Sequence, residues 1–470
     1  MDIKHFAGML QTKTSSFLRG EDELIHVVNA HGDEIGSLTQ RLGYGQHGDA
    51  LEVAQSVLGL HSYPDVSGGT ENLLAYVNGK LKYNNSGTWT NIQTGLLADA
   101  KPEFVTFIDQ TFIVGKNASG TYLTTAVIDG TSYSTTGNVT DAPQGSDIEV
   151  FADQVYILKG SKVYYSSLPD VAGTTITWNT TEDFFPVYTR NGEDAECIHT
   201  NKTINELLIF KPSSLHAWDT FRLRDAGNVG TTAKRSVATV DYVTMFYNKH
   251  KKKIYAYSGS LPQNVSRKID KWVKGIQNPD DVFAIDEENE FYKFYAGQVI
   301  VSDGNENVTH NNCEFRYSLP DNTWTVYKWF DNFTVYTKHK VSGVERIYAG
   351  ADDGEVHQLA KEGDAVYTDD GNAIGAEFMF ELDLGVPSER KFIDRILIYS
   401  TQAQNLQGRV RARGKDWSSW FTIDKDELER SINPDDGRFL QFHFSSKSSN
   451  PPFKFEGISI AAKLTTKTYV

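Results

Sequence analysis

Between residues 72 and 359 the chain repeatedly sets a short apolar or alternating run against a turn of Gly, Asn or Asp, and then another run containing Tyr or Phe. The runs are too short for helices and lack a 3.6-residue period, whereas brief apolar or alternating stretches bounded by turn residues predict β-strands. The clearest are "NLLAYVNGKLKY" (72–83), "PEFVTFIDQTFIVG" (102–115), "IEVFADQVYILKGSKVYYSS" (148–167) and "INELLIFKPSSLHAW" (204–218). "VTMFYNKHKKKIYAYSG" (243–259), "EFYKFYAGQVIVSDG" (290–304) and "FTVYTKHKVSGVERIYAGADDGEVHQL" (333–359) continue the series. The seven stretches recur about every 43 residues, close to the roughly 40 to 50 of a propeller blade. One such sheet cannot bury both of its faces, so the repeats must stack about an axis. The pattern predicts an all-β chain in which residues 46–370 form a β-propeller of six or seven blades.

The pattern changes near residue 370. A turn-rich joint, "YTDDGNAIGAEFMFELDLGVPSERKF", leads to "IDRILIYSTQ", "GRVRARGKDWSSWFTI", "RFLQFHFSSK" and "KFEGISIAAKL". These alternating strands, separated by loops, predict a C-terminal β-sandwich over residues 371–470. Residues 1–45 match neither pattern. They are polar, contain glycine and are interrupted by "RGEDE", which predicts an extended N-terminal arm ordered by its neighbours.

Composition supports the strand reading: the 470 residues are 12% aromatic, with 38 Gly and only 4 Met, a balance that suits strands and tight turns. The 61 acidic side chains outnumber the 46 basic ones, for a net charge of −15. Clamping nucleic acid by its phosphates needs clustered Lys and Arg, so the charge argues against that class. Two cysteines, Cys197 and Cys313, are too few for a disulfide framework and read as free thiols made in a reducing compartment. The N-terminus lacks a signal-peptide pattern and no apolar run reaches the roughly 18 residues of a membrane helix, so no membrane insertion and synthesis in the cytoplasm are expected.

Candidate chemistry is sparse. "RLGYGQHGD" (41–49) has glycines 43, 45 and 48 in the G-x-G-x-x-G order of a dinucleotide site. That site also needs a buried strand before it and a helix after it. The preceding "NAHGDEIGSLTQ" is turn-rich, and the following "DALEVAQSVLGLHSY" offers at most a short helix without a second βαβ unit. A turn is the better reading, and no cofactor is expected. No HExxH or CxxC motif occurs. "DGNEN" places Asp303, Asn305 and Asn307 as a calcium loop would, but Val308 replaces the glycine and no bidentate Glu follows, so no metal is expected. Fragments of the S-x-D-x-G-x-x-W box of sialidase-like propellers occur, never the whole, and no carboxylate pair stands out. Two groups of candidate interaction residues remain. Lys251, Lys252 and Lys253 in "NKHKKKIY" read as a solvated hairpin tip or a contact for an acidic neighbour or DNA phosphate. Trp417 and Trp420 in "GKDWSSWF" would point to opposite faces of a regular strand, one into the core and one toward a partner or sugar.

The order of several phrases resembles a known family, the β-propeller structural proteins of bacteriophage tails, including nozzle and packaged-DNA-stabilising tail proteins. "EIGSLTQRLGY" (34–44) is similar to the segment that ends their N-terminal arm. "KVYYSSLPDVAGTTITW", "LLIFKPSSLHAW", "NVGTTAKRSVATVDYVTMFY" and "KIYAYSGSLPQNVSRKID" follow in the order of their consecutive blade segments. "RIYAGADDGEVHQL", "TDDGNAI" and "LDLGVPSERKFIDRILI" look like the crossing into the sandwich. The likeness spans nearly the whole chain. It implies a non-enzymatic virion protein of the tail (nozzle, hub or adaptor), packed with copies of itself in a ring, usually sixfold, beside adaptor, portal-proximal or fibre proteins. DNA would pass through its lumen without sequence-specific binding. It also implies that glycines 43, 45 and 48 serve a structural turn by permissive backbone angles. The alternative is a tail-tip host-glycan-binding protein or depolymerase that uses an axial face or the tryptophans.

Overall fold

The computed structural model describes residues 2–3, 9–10, 23–32, 37–65, 70–188, 192–303, 306–383, 390–401, 406–424, 427–430, 439–448 and 453–465. The chain is all-β, and six four-stranded antiparallel meanders follow one another along it. They comprise Val57–Asp65 to Thr88–Gln93, Lys101–Phe107 to Ser132–Ser134, and Asp147–Phe151 to Phe184–Pro186. The fourth, fifth and sixth run from Cys197–Asn201 to Leu223–Gly227, Ala238–Val240 to Gln263–Asn264, and Phe283–Glu287 to Thr323–Lys328. A seventh uses Phe333–Val341, Val344–Ala351 and Val356–Leu359, and takes Tyr44–Gln46 from the N-terminal segment as its fourth strand. Each of the seven repeats predicted from sequence falls in a different meander.

Turn chemistry explains the register. Successive left-handed residues close the first turns, such as Ile108 and Asp109 or Ala152 and Asp153, because paired positive φ angles match the twist of a two-residue hairpin. The second strands read as continuous apolar runs: Gln110–Lys116 and Val243–Asn248 are buried along almost their whole length. Continuous burial means a neighbour on each face. Separate apolar clusters supply those neighbours. Leu74 and Tyr76 meet Ile113 and Ile128 between the first two meanders, and Phe112 and Val114 meet Val155 and Ile157 between the next two. Similar clusters join each later meander to the next, and Val335 and Tyr348 of the seventh pack back on Val57, Leu73 and Val77 of the first. The first strands touch in the same cyclic order, with His199 Nε2 2.9 Å from Thr239 Oγ1 between the fourth and fifth.

The remaining strands fall into two groups, the first continuous with the seventh meander through Thr368–Asp369, which lies between Tyr44–Gln46 and Asn372–Asp383. One pairs Asn372–Asp383 with Phe439–Ser448 and with Glu23–Val28, and extends through Leu406–Ala412 to Phe421–Ile423. The other pairs Arg390–Thr401 with Lys454–Thr465, which also receives Leu38–Gln40. Phe378 and Phe444 of the first lie 5.0 and 4.8 Å from the ring of Phe455 of the second. The described parts of residues 1–45 are thus strands in sheets whose other members lie hundreds of residues away.

The G-x-G-x-x-G stretch is a junction. No helix follows it: residues 51–54 are bends and turns, and a strand begins at Val57. Gly43 is there for close approach, since a Cβ would lie 1.8 Å from the Thr368 carbonyl oxygen. Gly48 has φ +74°, whereas Gly45 is an ordinary strand residue. Permissive angles therefore account for Gly48 alone. "TDDGN" forms a turn at Asp370 and Gly371, and part of "DGNEN" lies outside the described residues. No helix among the described residues is long and apolar enough to cross a membrane.

Candidate functional site

First-strand residues of six of the meanders, with Lys234, Arg235 and Val237 just before the fifth, line a half-open cavity of about 210 Å3. Its charged wall comes from three places. Glu103 belongs to the second meander, Asp147 and Glu149 to the third, and Lys234 and Arg235 to the short helical turn before the fifth. Lys234 Nζ lies 2.7 Å and Arg235 Nε 3.1 Å from the same Glu103 oxygen. Arg235 also donates to the Pro102 carbonyl at 2.8 Å, and Lys234 to that of Ser146 at 3.0 Å. Burial raises the Glu103 carboxyl, but the two cations outweigh it and hold the group below the usual carboxylate range.

Asp147 has the opposite balance. Burial pushes its carboxyl up to about 7, aided by Glu103 and opposed by Lys234, although it accepts from the Ile148 and Ile198 amides at 3.1 and 2.8 Å. A perturbed acid in a cavity is a candidate for chemistry. The neighbouring Cys197 is not a ready nucleophile, because burial raises its thiol well above normal, and the thiolate is the reactive form. Cys313 is likewise free and buried, its thiol pushed up to about 12.

Thr239, His199 and Glu149 form a hydroxyl–imidazole–carboxylate series, with 2.9 Å from Thr239 Oγ1 to Nε2 and 3.4 Å from Nδ1 to Glu149. Such a series could activate a nucleophile. The same joint occurs elsewhere, however. His61 Nε2 lies 2.8 Å from Thr106 Oγ1, and Thr106 is 3.0 Å from Thr111, just as Thr239 is 2.9 Å from Thr244. In both places a first-strand histidine reaches the next meander's first strand, which is the behaviour of a seam between sheets. Comparison with known protein families and with curated proteins finds no match. The chemistry therefore has to be argued from the geometry, and a cavity of this size is smaller than the roughly 300 to 1,000 Å3 of most small-molecule sites. A wider polar recess of about 540 Å3 opens beside it, among His199, Lys202, Asp241, Asp286 and Lys338.

The sequence-predicted residues do not line either recess. Lys251 and Lys252 are exposed at the tip of the hairpin between Val243–Asn248 and Lys253–Tyr257, and Lys253 is half-buried in the strand, paired with Asn248. Lys252 Nζ lies 3.3 Å from the Lys274 carbonyl oxygen, Lys251 Nζ 3.5 Å from that of Asn228, and neighbouring Lys249 pairs with Asp280 at 2.6 Å. Trp417 and Trp420 do not straddle a strand. Residues 416–420 form an irregular loop, so the period-two rule does not apply, and both rings close on one cation: Arg409 Cζ lies 4.6 and 4.4 Å from their centroids. Arg409 donates to His443 Nδ1, and His443 and His26 face the two oxygens of Glu377 at 3.5 and 3.0 Å. The His26 and His443 contacts hold the Glu377 carboxyl well below the usual range.

Two polar centres escaped the sequence reading. Arg41 makes a two-pronged pair with Asp369, at 2.8 and 2.6 Å, in the junction described above. Asp353, Glu355 and His357 converge at the turn before the third strand of the seventh meander, and could hold a cation. Their signal was present in "DGEVH", where acidic and imidazole side chains alternate and so share one side of an extended chain.

Proposed function

We propose that the chain is a structural component of a tailed-bacteriophage particle. In this reading the seven meanders close as a seven-bladed β-propeller, the two remaining sheets form a β-sandwich attached to it, and copies pack side by side as a ring in the tail. The cyclic contacts of the first strands support the propeller. The resemblance of the ordered phrases supports the particle. The observation that carries assembly is the placement of exposed apolar side chains. Leu168 and Val171, Phe221, and Leu261 are all solvent-exposed, Phe221 at 90%, and lie between the third and fourth strands of the third, fourth and fifth meanders. In a propeller those turns share one face, so the four side chains would lie on the same face of three consecutive blades. Single exposed apolar residues are ordinary, and their recurrence at the same turn of successive meanders is what supports an interaction surface.

The axial cavity suits a scaffold, because its charges are largely used on one another. It is far too small for a duplex, so DNA would run through the lumen between copies, where a net-acidic protein repels phosphate. Labelling of purified particles with a chain-specific antibody tests the reading by electron microscopy. Gold along the tail or below the portal is expected. Gold confined to the distal tip would transfer the weight to glycan recognition, and absence from tail-opened particles would overturn the assignment. In solution, Phe221→Asp with Leu261→Asp should weaken association measured by light scattering while leaving the circular dichroism spectrum unchanged.

A further inference from the structure

The ring-closing meander contains an acidic turn with a histidine at its base. The turn runs from Asp352 to Gly354, Glu355 follows it, and His357 is the second residue of the next strand. One ligating atom from each of Asp353, Glu355 and His357 lies within 4.8 Å of the others. His357 is completely buried, yet neither of its ring nitrogens has a hydrogen-bond partner. A buried imidazole in that condition carries an uncompensated desolvation cost. Nε2 points among carboxylates, 3.5 Å from Asp331 Oδ2 and 3.8 Å from Glu355 Oε2. Two donors each about 2.1 Å from one ion stand roughly 3 to 3.5 Å apart, so small adjustments would bring these groups onto a common centre.

The surroundings favour a cation. Asp353 and Asp370 are the neighbouring charges common to Asp331 and Glu355, and no Lys or Arg is among the groups acting most strongly on either. The turn is braced from outside, with Leu51 N–H donating to the Gly354 carbonyl at 2.8 Å and Ala54 N–H to that of Asp353 at 2.9 Å. Gly354, at φ +95°, has no room for a Cβ, which would lie 2.0 Å from the Glu52 carbonyl oxygen.

We propose that Asp353, Glu355 and His357 bind one divalent first-row transition ion, Mn2+ or Zn2+, with Asp331 as an additional ligand. Imidazole mixed with carboxylate favours such ions over Mg2+ or Ca2+, which prefer all-oxygen sites. The ion fastens the ring closure. His357 pairs in register with Gln46, and Tyr44 of the same N-terminal strand donates to Asp331 at 2.6 Å, so one centre would hold both the incoming strand and its acceptor.

Full-length protein is stripped with EDTA, then titrated by calorimetry with Mn2+, Zn2+, Mg2+ and Ca2+, with metal content measured by mass spectrometry. The result expected is one Mn2+ or Zn2+ per chain, a higher unfolding temperature, and slower proteolysis at residues 47–56. Asp353→Asn with Glu355→Gln should weaken binding more than about 100-fold without lowering the unfolding temperature of the stripped protein; should that pair fail to fold, exposed Asp353→Asn alone serves. No stoichiometric binding, an equal response in the variant, or a response to Ca2+ alone would overturn the proposal.

Discussion

Replacing Arg41 by methionine keeps most of the side-chain stem and removes the guanidinium from a site where it is 2% exposed. The loss strands several groups at once. Asp369 forfeits both prongs of its pair, Asn29 Oδ1 loses a donor at 2.9 Å, and the Leu42 and Lys328 carbonyls lose theirs. Breaking a buried pair by deleting one partner costs about 3–5 kcal/mol, and stranded acceptors add on the order of 1 kcal/mol each before water or protonation relieves them. A local loss of about 4–6 kcal/mol follows. A chain with this many sheets need not unfold in one step, so hydrogen exchange is a better assay than a global melting curve. The amides of Gly43, His47 and Asp370, which bond to Val366, Val356 and Tyr44, should exchange about 1,000-fold faster, since 1.4 kcal/mol is tenfold and 4 kcal/mol nearly three decades. Amides of Val155–Leu158 in the third meander should not change. Adding Asp369→Asn should restore part of the protection by removing the orphaned charge. Unchanged protection at the junction, or equal loss in the third meander, would refute the reasoning.

Asp147 and His310 should impose opposite pH dependences. The Asp147 carboxyl is raised by burial to about 7, so the folded chain holds that proton more tightly and stability falls as pH rises from about 4 to 7; Asp147→Asn should gain unfolding temperature relative to the parent at pH 8 compared with pH 4.5, and an equal offset at both would contradict this. Burial lowers the His310 imidazole to about 4, so the stability present above about pH 6.5 is lost as pH falls through 4. Its ring lies 4.6 Å from Trp272, and His310→Gln should flatten both the acid-side stability loss and the accompanying change in Trp272 fluorescence, isolated by difference from Trp272→Phe. Gly43→Ala should cost on the order of 2 kcal/mol or more by forcing the chain away from Thr368, measured by denaturant unfolding, and a neutral effect would show that the close approach is dispensable.

The strands were legible where local chemistry dictates them. "NLLAYVNGKLKY" announces two strands and a turn because Asn78 and Gly79 accept positive φ angles, and the apolar run of each second strand records burial on both faces. What stayed hidden depends on distance along the chain. Nothing near "YGQ" says that Tyr44 will pair with Leu359 on one side and Asp369 on the other, since three residues of strand carry no address. Glu103, Asp147 and Lys234, which line one cavity, are single charges far apart in sequence, and only the stacking of sheets brings them together. Trp417 and Trp420 misled for another reason. Their spacing has a fixed meaning only on a regular strand, and Arg409 gathers them in a loop instead.

The pairing of Tyr44–Gln46 with a strand near residue 357 also sets a timetable. Arg41 and Asp369 are separated by 328 positions, and synthesis at roughly 5 to 20 residues per second leaves the early segment waiting about 16 to 65 seconds for its partners. Throughout that interval the first meander has no seventh to pack against, and the N-terminal strands that complete both terminal sheets have nothing to join. Residues near 357 and 369 therefore decide when those near 41 and 44 become structured, and any surface that depends on the contact of the seventh meander with the first is withheld until they have been made.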